Sequence, residues 1–177
     1  IESHRMGPFV PRVQNDSVIL DLMIHDLDII LNLVNAPIKN ISSHATKVYT
    51  NSCDIASVSI SFENGVMANI ISSRASQIKK RTMTIHQKNE FIFLDFTTQD
   101  ITIHRQASSS VQISSDQLKY KQAGIIEHLF VYKDNPLKLE VEHFINSVRA
   151  KQNLHHPEQD LIALNVTFDI ERQLGLR

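Results

Sequence analysis

The sequence predicts an α+β domain, a mainly antiparallel open sheet with helices on one face. Three observations lead there. Residues 55–62 alternate, with Ala56, Val58, Ile60 and Phe62 on one side and Ser57, Ser59 and Ser61 on the other. That period of two marks a half-buried strand. Glu63-Asn64-Gly65 follows, and Asn-Gly is a preferred tight hairpin turn in which both central residues take positive φ. Finally, helical patterns lie outside the strand-rich middle, one near the start and two at the end. Consecutive strands with short connections imply an antiparallel meander, and runs of strands followed by helices give the α+β class.

The composition bounds the function. The 177 residues suit one large domain or two small ones, and 42% hydrophobic content supplies a core. A net charge of −1 argues against an electrostatic nucleic-acid binder. The single cysteine, Cys53, cannot form an internal disulfide, which fits a reducing, cytoplasmic setting. The most apolar stretch, residues 18–34, is broken by Asp21, His25, Asp26 and Asp28 and makes a poor membrane span. The N-terminus has no apolar core of signal-peptide length, and it begins with Ile1, so a segment of a longer protein is expected. Gly7, Gly65, Gly124 and Gly175 are the only glycines and none are neighbours. A dinucleotide-binding turn or a phosphate loop needs clustered glycines, so neither is expected within this chain.

In order, residues 1–10 read as a strand ending between Pro8 and Pro11, flanked by Arg5 and Arg12. For either arginine alone, a solvated surface role is the default. Residues 13–17 read as a loop, where Asp16 or Ser17 can accept the free N–H groups of the next helix. Residues 18–34 form that helix. They are dominated by Val, Ile, Leu and Met and lack Gly and Pro. On a spacing of roughly 100° per residue, Asp21, His25, Asp28 and Asn32 fall within about 60° of one another, and Asp26 lies well off that stripe. Buried carboxylates are expensive unless paired or used, so the stripe faces either a working cleft or a polar neighbour. Pro37 closes the helix region. Strands are expected at residues 38–49, 55–62, 66–73, 82–86, 91–96 and 101–104. The serine-rich residues 107–116 read as a loop or ragged edge, and residues 118–132 are ambiguous. A helix opens at Asn135-Pro136 with Leu137, Val141, Phe144 and Val148 on one face. A turn at residues 153–157 leads to a last helix over residues 158–174, with Leu161, Leu164, Phe168 and Glu171 on one side and Gly175 as its stop.

The chemistry centres on Asp21 and His25, four residues apart on one helix face. An imidazole near neutral pH can take and return a proton, and a neighbouring carboxylate fixes its tautomer. That suits proton removal from an alcohol as hydride leaves, or the reverse. Asp-x-x-x-His is otherwise a common surface pair, but here the surrounding helix is apolar. Asp28 extends the line and can orient His25 from the other side. Asp21, His25 and Asp28 also resemble three metal ligands, yet no second ligand cluster stands close in sequence, and no metal is expected. His155-His156 reads as surface, and Cys53 has no paired base that would make it a nucleophile.

Asp21-Leu-Met-Ile-His25-Asp26-Leu-Asp28 resembles the Asp-x-x-x-His-Asp-x-Asp helix of the glucose–fructose oxidoreductase/inositol dehydrogenase/MocA family. The surroundings agree in order: an entry strand with Arg5, the motif helix, a multi-stranded sheet with an Asn-Gly hairpin, Pro136-Leu-Lys-Leu-Glu140 opening a helix with Phe144, and a closing helix after His156-Pro157. The resemblance covers essentially the whole chain and only the C-terminal half of such enzymes. It implies the open-sheet fold of a glyceraldehyde-3-phosphate dehydrogenase-like C-terminal domain spanning residues 1–177. It also implies a separate N-terminal Rossmann half that binds NAD or NADP and carries a Glu-Lys-Pro motif. By the same resemblance His25 is the general acid/base on a sugar hydroxyl, Asp21 positions substrate and imidazole, and Asp28 orients or touches substrate. Many members carry glycines just before the motif aspartate, where this chain has Ser17-Val18-Ile19-Leu20. Arg5, Pro8-Phe9, Arg12 and Leu22-Met-Ile24 look like the branch acting on nucleotide sugars, most similar to UDP-N-acetylglucosamine 3-dehydrogenases. In that reading Arg5 and Arg12 meet substrate, including a diphosphate. The implied whole is an NAD(P)-dependent sugar dehydrogenase, with this chain alone inactive. A homo-oligomer is expected through the serine-patterned sheet face, with no nucleic-acid or membrane partner. The alternative is a binding or assembly module that keeps the fold without the chemistry.

Overall fold

The computed structural model describes residues 1–11, 16–106, 124–151 and 157–176. Among them, eight strands form one sheet. These are β1 (Glu2–Met6), β2 (Ile38–Thr46), β3 (Ile55–Phe62), β4 (Met67–Ser73), β5 (Lys80–His86), β6 (Glu90–Asp95), β7 (Asp100–Gln106) and β8 (Gly124–Leu129). Their order across the sheet is β2-β3-β4-β1-β5-β6-β7-β8. Two antiparallel meanders are therefore joined through β1, which runs parallel to β4 and antiparallel to β5. That single parallel pair makes the sheet mixed. Helix α1 (Ile24–Val34) continues a π-helical turn over Ile19–Met23, and α2 (Pro136–Ala150) and α3 (Pro157–Gln173) close the chain. The predicted α+β class with an open sheet is what the structure shows.

The core lies where α1 and α3 cover one face of the sheet. Ile19, Met23, Leu27 and Ile30 of the first helix pack with Ala56, Val58, Ile60 and Phe62 of β3, Ala68 and Ile70 of β4, and Val166 and Ile170 of α3. The opposite face of β3 keeps Ser57 and Ser59 exposed, the alternation read from the sequence. The hairpin after β3 differs in detail. Gly65 alone takes positive φ (83°), and its N–H donates to the Phe62 carbonyl at 3.0 Å. Glu63 and Asn64 thus occupy an ordinary turn, and the glycine absorbs the left-handed step as a bulge. The Asn64 side chain accepts from Val66 N–H at 3.1 Å.

Ser17 fixes the start of the motif helix. Its Oγ accepts the Leu20 N–H at 3.1 Å and its hydroxyl donates to the Glu171 carboxylate of α3, with both residues buried. One side chain therefore satisfies an orphan helix donor and ties the first helix to the last. A Ser17→Ala variant is expected to lose about 1–2 kcal/mol, read as a lower denaturant midpoint with an unchanged slope.

The last two helices leave part of their apolar surface uncovered. Leu161 is exposed, and among the described side chains of α3 the buried ones are Ala163, Val166, Thr167, Ile170 and Glu171. On α2, the face formed by Leu137, Val141, Phe144 and Val148 is exposed, Phe144 by 56%. Periodicity identified an apolar face without identifying what covers it; among the described residues, nothing does. Asn135 accepts from the N–H groups of Leu137 and Lys138, and Pro136 opens the helix, as the sequence indicates. The ambiguous residues 118–132 contain β8. The serine-rich residues 107–116 and His155-His156 lie outside the described residues.

Asp54 ties down the loop before β3. It is fully buried, and its carboxylate accepts the N–H groups of Val48, Tyr49 and Thr50 at 2.7–2.9 Å and the Thr50 hydroxyl at 2.8 Å. Burial pushes its carboxyl up, but these donors outweigh burial and hold it at about 2, below the usual 3.8. The folded form thus binds its proton less readily than the unfolded chain. This contribution to stability is complete above pH 3.8 and is lost as the pH falls towards 2. Asp54→Ala is expected to destabilise by about 2 kcal/mol at neutral pH. Unfolding from pH 7 to 2 should show a shallower acid dependence in the variant.

Candidate active site

The π-helical turn presents Asp21, and the first turn of α1 presents His25. Val18, Ile19, Met23 and Leu27 are fully buried, so the opposite side of the helix faces outwards. The wide turn is closed by the Ile24 N–H donating to the Ile19 carbonyl, a π-type bond of the kind frequent at functional sites. Asp21 and His25 line one cleft of about 470 Å³, together with Arg5, Arg74, Lys79 and Arg81. A second cleft of about 510 Å³ adjoins it and shares Arg5, His25 and Arg81, with Asp95, Phe96 and Asp100 on its far side. His25 stands at the junction. Its side chain is exposed and, among the described residues, neither ring nitrogen makes a hydrogen bond. An imidazole so placed is available to accept or donate a proton.

Asp21 is held from behind. Arg74, 4% exposed, ends the β4 arm and brings a guanidinium nitrogen to 3.9 Å from the Asp21 carboxylate. Its Nε lies 3.9 Å from buried Asp54, and it donates to the Asp16 carbonyl at 2.8 Å. The cation is thus anchored against the sheet and presents its charge to the cleft-lining carboxylate.

Arg5 has a partner that the sequence does not disclose. Its Nε and Nη2 donate to the two oxygens of Asp26 at 2.7 and 2.9 Å, and Asp26 is 1% exposed. Asp26, off the polar stripe, is the buried acid of this helix, and Arg5 satisfies it in a two-pronged pair. Arg5 still lines both clefts, with its guanidinium 6.0 Å from the Phe96 ring centre. Asp28 lies apart from both. It accepts from the Asn32 side chain at 3.1 Å and lines a different hollow with Asn35 and Ile162. Three residues past His25 on a 100° spacing is an offset of about 60° and a rise of nearly a turn, enough to leave the cleft. The structure thus joins Asp21, His25 and Arg5, and separates Asp28. Arg12 lies outside the described residues.

Sequence reasoning missed Arg74, Lys79 and Arg81. The run Lys79-Lys80-Arg81 was a visible signal, but only strand register puts it beside the motif helix. Cys53 is buried, donates to the Ile55 carbonyl at 3.2 Å, and burial pushes its thiol up to about 11. It carries no thiolate near neutral pH. Among the described residues no three of His, Cys, Asp or Glu gather closely enough to hold a metal ion, and no helix is long and apolar enough to cross a membrane.

Comparison with known proteins gives this geometry its context. A UDP-N-acetylglucosamine 3-dehydrogenase from Acidithiobacillus ferrooxidans is 29% identical over 154 residues, 85% of this chain and 46% of that protein. A solved structure of that enzyme matches with a TM-score of 0.80 at 26% identity, covering 96% of this chain and 52% of the other. The chain therefore spans about half the length of the curated relative it matches. A super-repressor mutant of Gal80p from Saccharomyces cerevisiae has the same fold, with a TM-score of 0.72 at 10% identity over 98% of this chain and 55% of its own. The model of the GFO/IDH/MocA C-terminal domain matches residues 4–92, which run from within β1 through the motif helix and β5 to the start of β6. With the motif helix, the mixed sheet and that match together, this chain belongs to the GFO/IDH/MocA family, as its C-terminal domain.

Proposed function

We propose that this chain is the substrate and catalytic domain of an NAD(P)-dependent dehydrogenase acting on a hydroxyl carbon of a sugar or nucleotide sugar. The observation that carries the reading is the cleft that Asp21 and His25 line together, with no hydrogen bond to either His25 ring nitrogen among the described residues. His25 takes the hydroxyl proton as the carbon is oxidised to a ketone, and returns it in reduction. Asp21, anchored by Arg74, offers a fixed negative charge to orient the imidazole or a sugar hydroxyl. The nicotinamide, when bound, accepts or returns the hydride. The four separated glycines offer no pyrophosphate turn, so the residues present fit the substrate side, and an N-terminal Rossmann half would hold the cofactor. Similarity to a UDP-N-acetylglucosamine 3-dehydrogenase favours a UDP-sugar, and a second copy on the open sheet face would complete the assembly.

A binding or assembly module that keeps the fold without dehydrogenase activity is the other reading. Nicotinamide reduction by the full-length protein separates the two. UDP-N-acetylglucosamine, myo-inositol and glucose would each be offered with NAD and with NADP. Reduction with the UDP-sugar is expected. Silence with all three in a protein that binds NAD would remove these substrates, and silence without NAD binding would favour the module.

A further inference from the structure

We infer that Lys79 and Arg81 form an anion subsite for the diphosphate of the substrate, an assignment that rests on the nucleotide-sugar reading above. Four cations, Arg5, Arg74, Lys79 and Arg81, line the cleft beside Asp21 and His25, and Asp21 is the one carboxylate among the described lining residues. Two of the four are already committed. Arg5 holds Asp26 through both oxygens, and Arg74 lies between Asp21 and Asp54. Lys79 and Arg81 have no carboxylate within 4.0 Å among the described residues.

The register sharpens this. Arg5 of β1 lies directly opposite Arg81 of β5, and such a pair places its Cβ atoms about 5 Å apart on one face. Like charges in that position destabilise a sheet unless something neutralises them. Asp26 neutralises Arg5; Arg81 is left facing the cleft. Of the acids that line the adjoining cleft, Asp95 is fixed by neutral backbone donors and Asp100 by a cation. Asp95 accepts the N–H groups of Thr97 and Thr98, and Asp100 pairs with Lys133 at 2.8 Å. The open positive charge therefore lines the same cleft as His25, where guanidinium and ammonium donors suit phosphate oxygens. A sugar attached to that diphosphate would reach inwards to Asp21 and His25.

The same chemistry is present in the pyrophosphate of a dinucleotide cofactor, so the test separates the two sources. UDP and NAD would each be titrated calorimetrically into the full-length protein and its Lys79→Ala and Arg81→Ala variants at low salt. Thermal unfolding would confirm that the variants fold, and Arg81→Lys would test retention of charge. Each truncation is expected to weaken UDP binding about tenfold, the scale of one charge-assisted hydrogen bond, with NAD affinity kept and Arg81→Lys intermediate. Loss of NAD affinity with UDP affinity kept would overturn the substrate assignment. Unchanged affinity for both, or no UDP binding by the wild type, would overturn the subsite. UDP binding that depends on these residues in a protein that reduces no nicotinamide would support the subsite and count against the dehydrogenase reading alone.

Discussion

Asp26→Ala is expected to destabilise the domain by about 3–5 kcal/mol, the penalty for breaking a buried ion pair from one side. Asp26 is 1% exposed, and both its oxygens accept from Arg5. Removing the carboxylate leaves a guanidinium facing a buried void on the helix side and Arg81 across the strand pair. Two cations would then face each other across the strand pair without the acid that neutralises Arg5. The loss exceeds that expected for Ser17→Ala because Asp26→Ala breaks a buried ion pair, whereas Ser17→Ala removes the hydrogen bonds of one hydroxyl. Chemical denaturation of wild type, Asp26→Ala, Arg5→Ala and the double variant gives a double-mutant cycle. A coupling of about 2 kcal/mol or more is expected for residues in direct contact. Independent effects would mean that the pair does not hold β1 against the motif helix.

Much of this architecture is legible in the residues. The β3 alternation, the helix start at Asn135-Pro136 and the family motif from Asp21 to Asp28 each encode their own local structure. What was not legible depends on register and on partners distant in sequence. The insertion of β1 between two meanders is a matter of topology, and it brings Arg5 opposite Arg81 and beside Asp26. A helical wheel correctly grouped Asp21 with His25, but it could not show that the turn through Ile19–Met23 is π-helical or that Asp28 has rotated out of the cleft. It also set Asp26 aside, when Asp26 is the acid whose burial requires an explanation. For α2 and α3 the pattern showed which residues are apolar, while the buried side depends on what packs there. Leu161 and Phe144 are exposed for that reason.

His25→Ala in the full-length protein is expected to lower kcat by about 10²–10⁴-fold, the usual contribution of a positioned general acid or base. Several observations bear on that size. The ring is exposed at the junction of two clefts and has no hydrogen bond among the described residues, so its removal should leave the fold nearly untouched. Asp21 and Arg74 keep their places in the same cleft, and the cations that would hold a diphosphate are other residues of its lining. Loss should therefore appear mainly in kcat, with a smaller change in KM, as for a group whose interaction is made in the transition state. Asp21→Asn is expected to follow in the same direction with a smaller loss, because it orients rather than transfers. The most direct measurement is nicotinamide reduction at saturating UDP-N-acetylglucosamine, wild type beside His25→Ala, with thermal unfolding recorded for both. Turnover by the wild type that falls at least about a hundredfold in an equally stable variant is the predicted result. Equal turnover in the two proteins would contradict the assignment of His25 as the proton-transferring residue of this cleft.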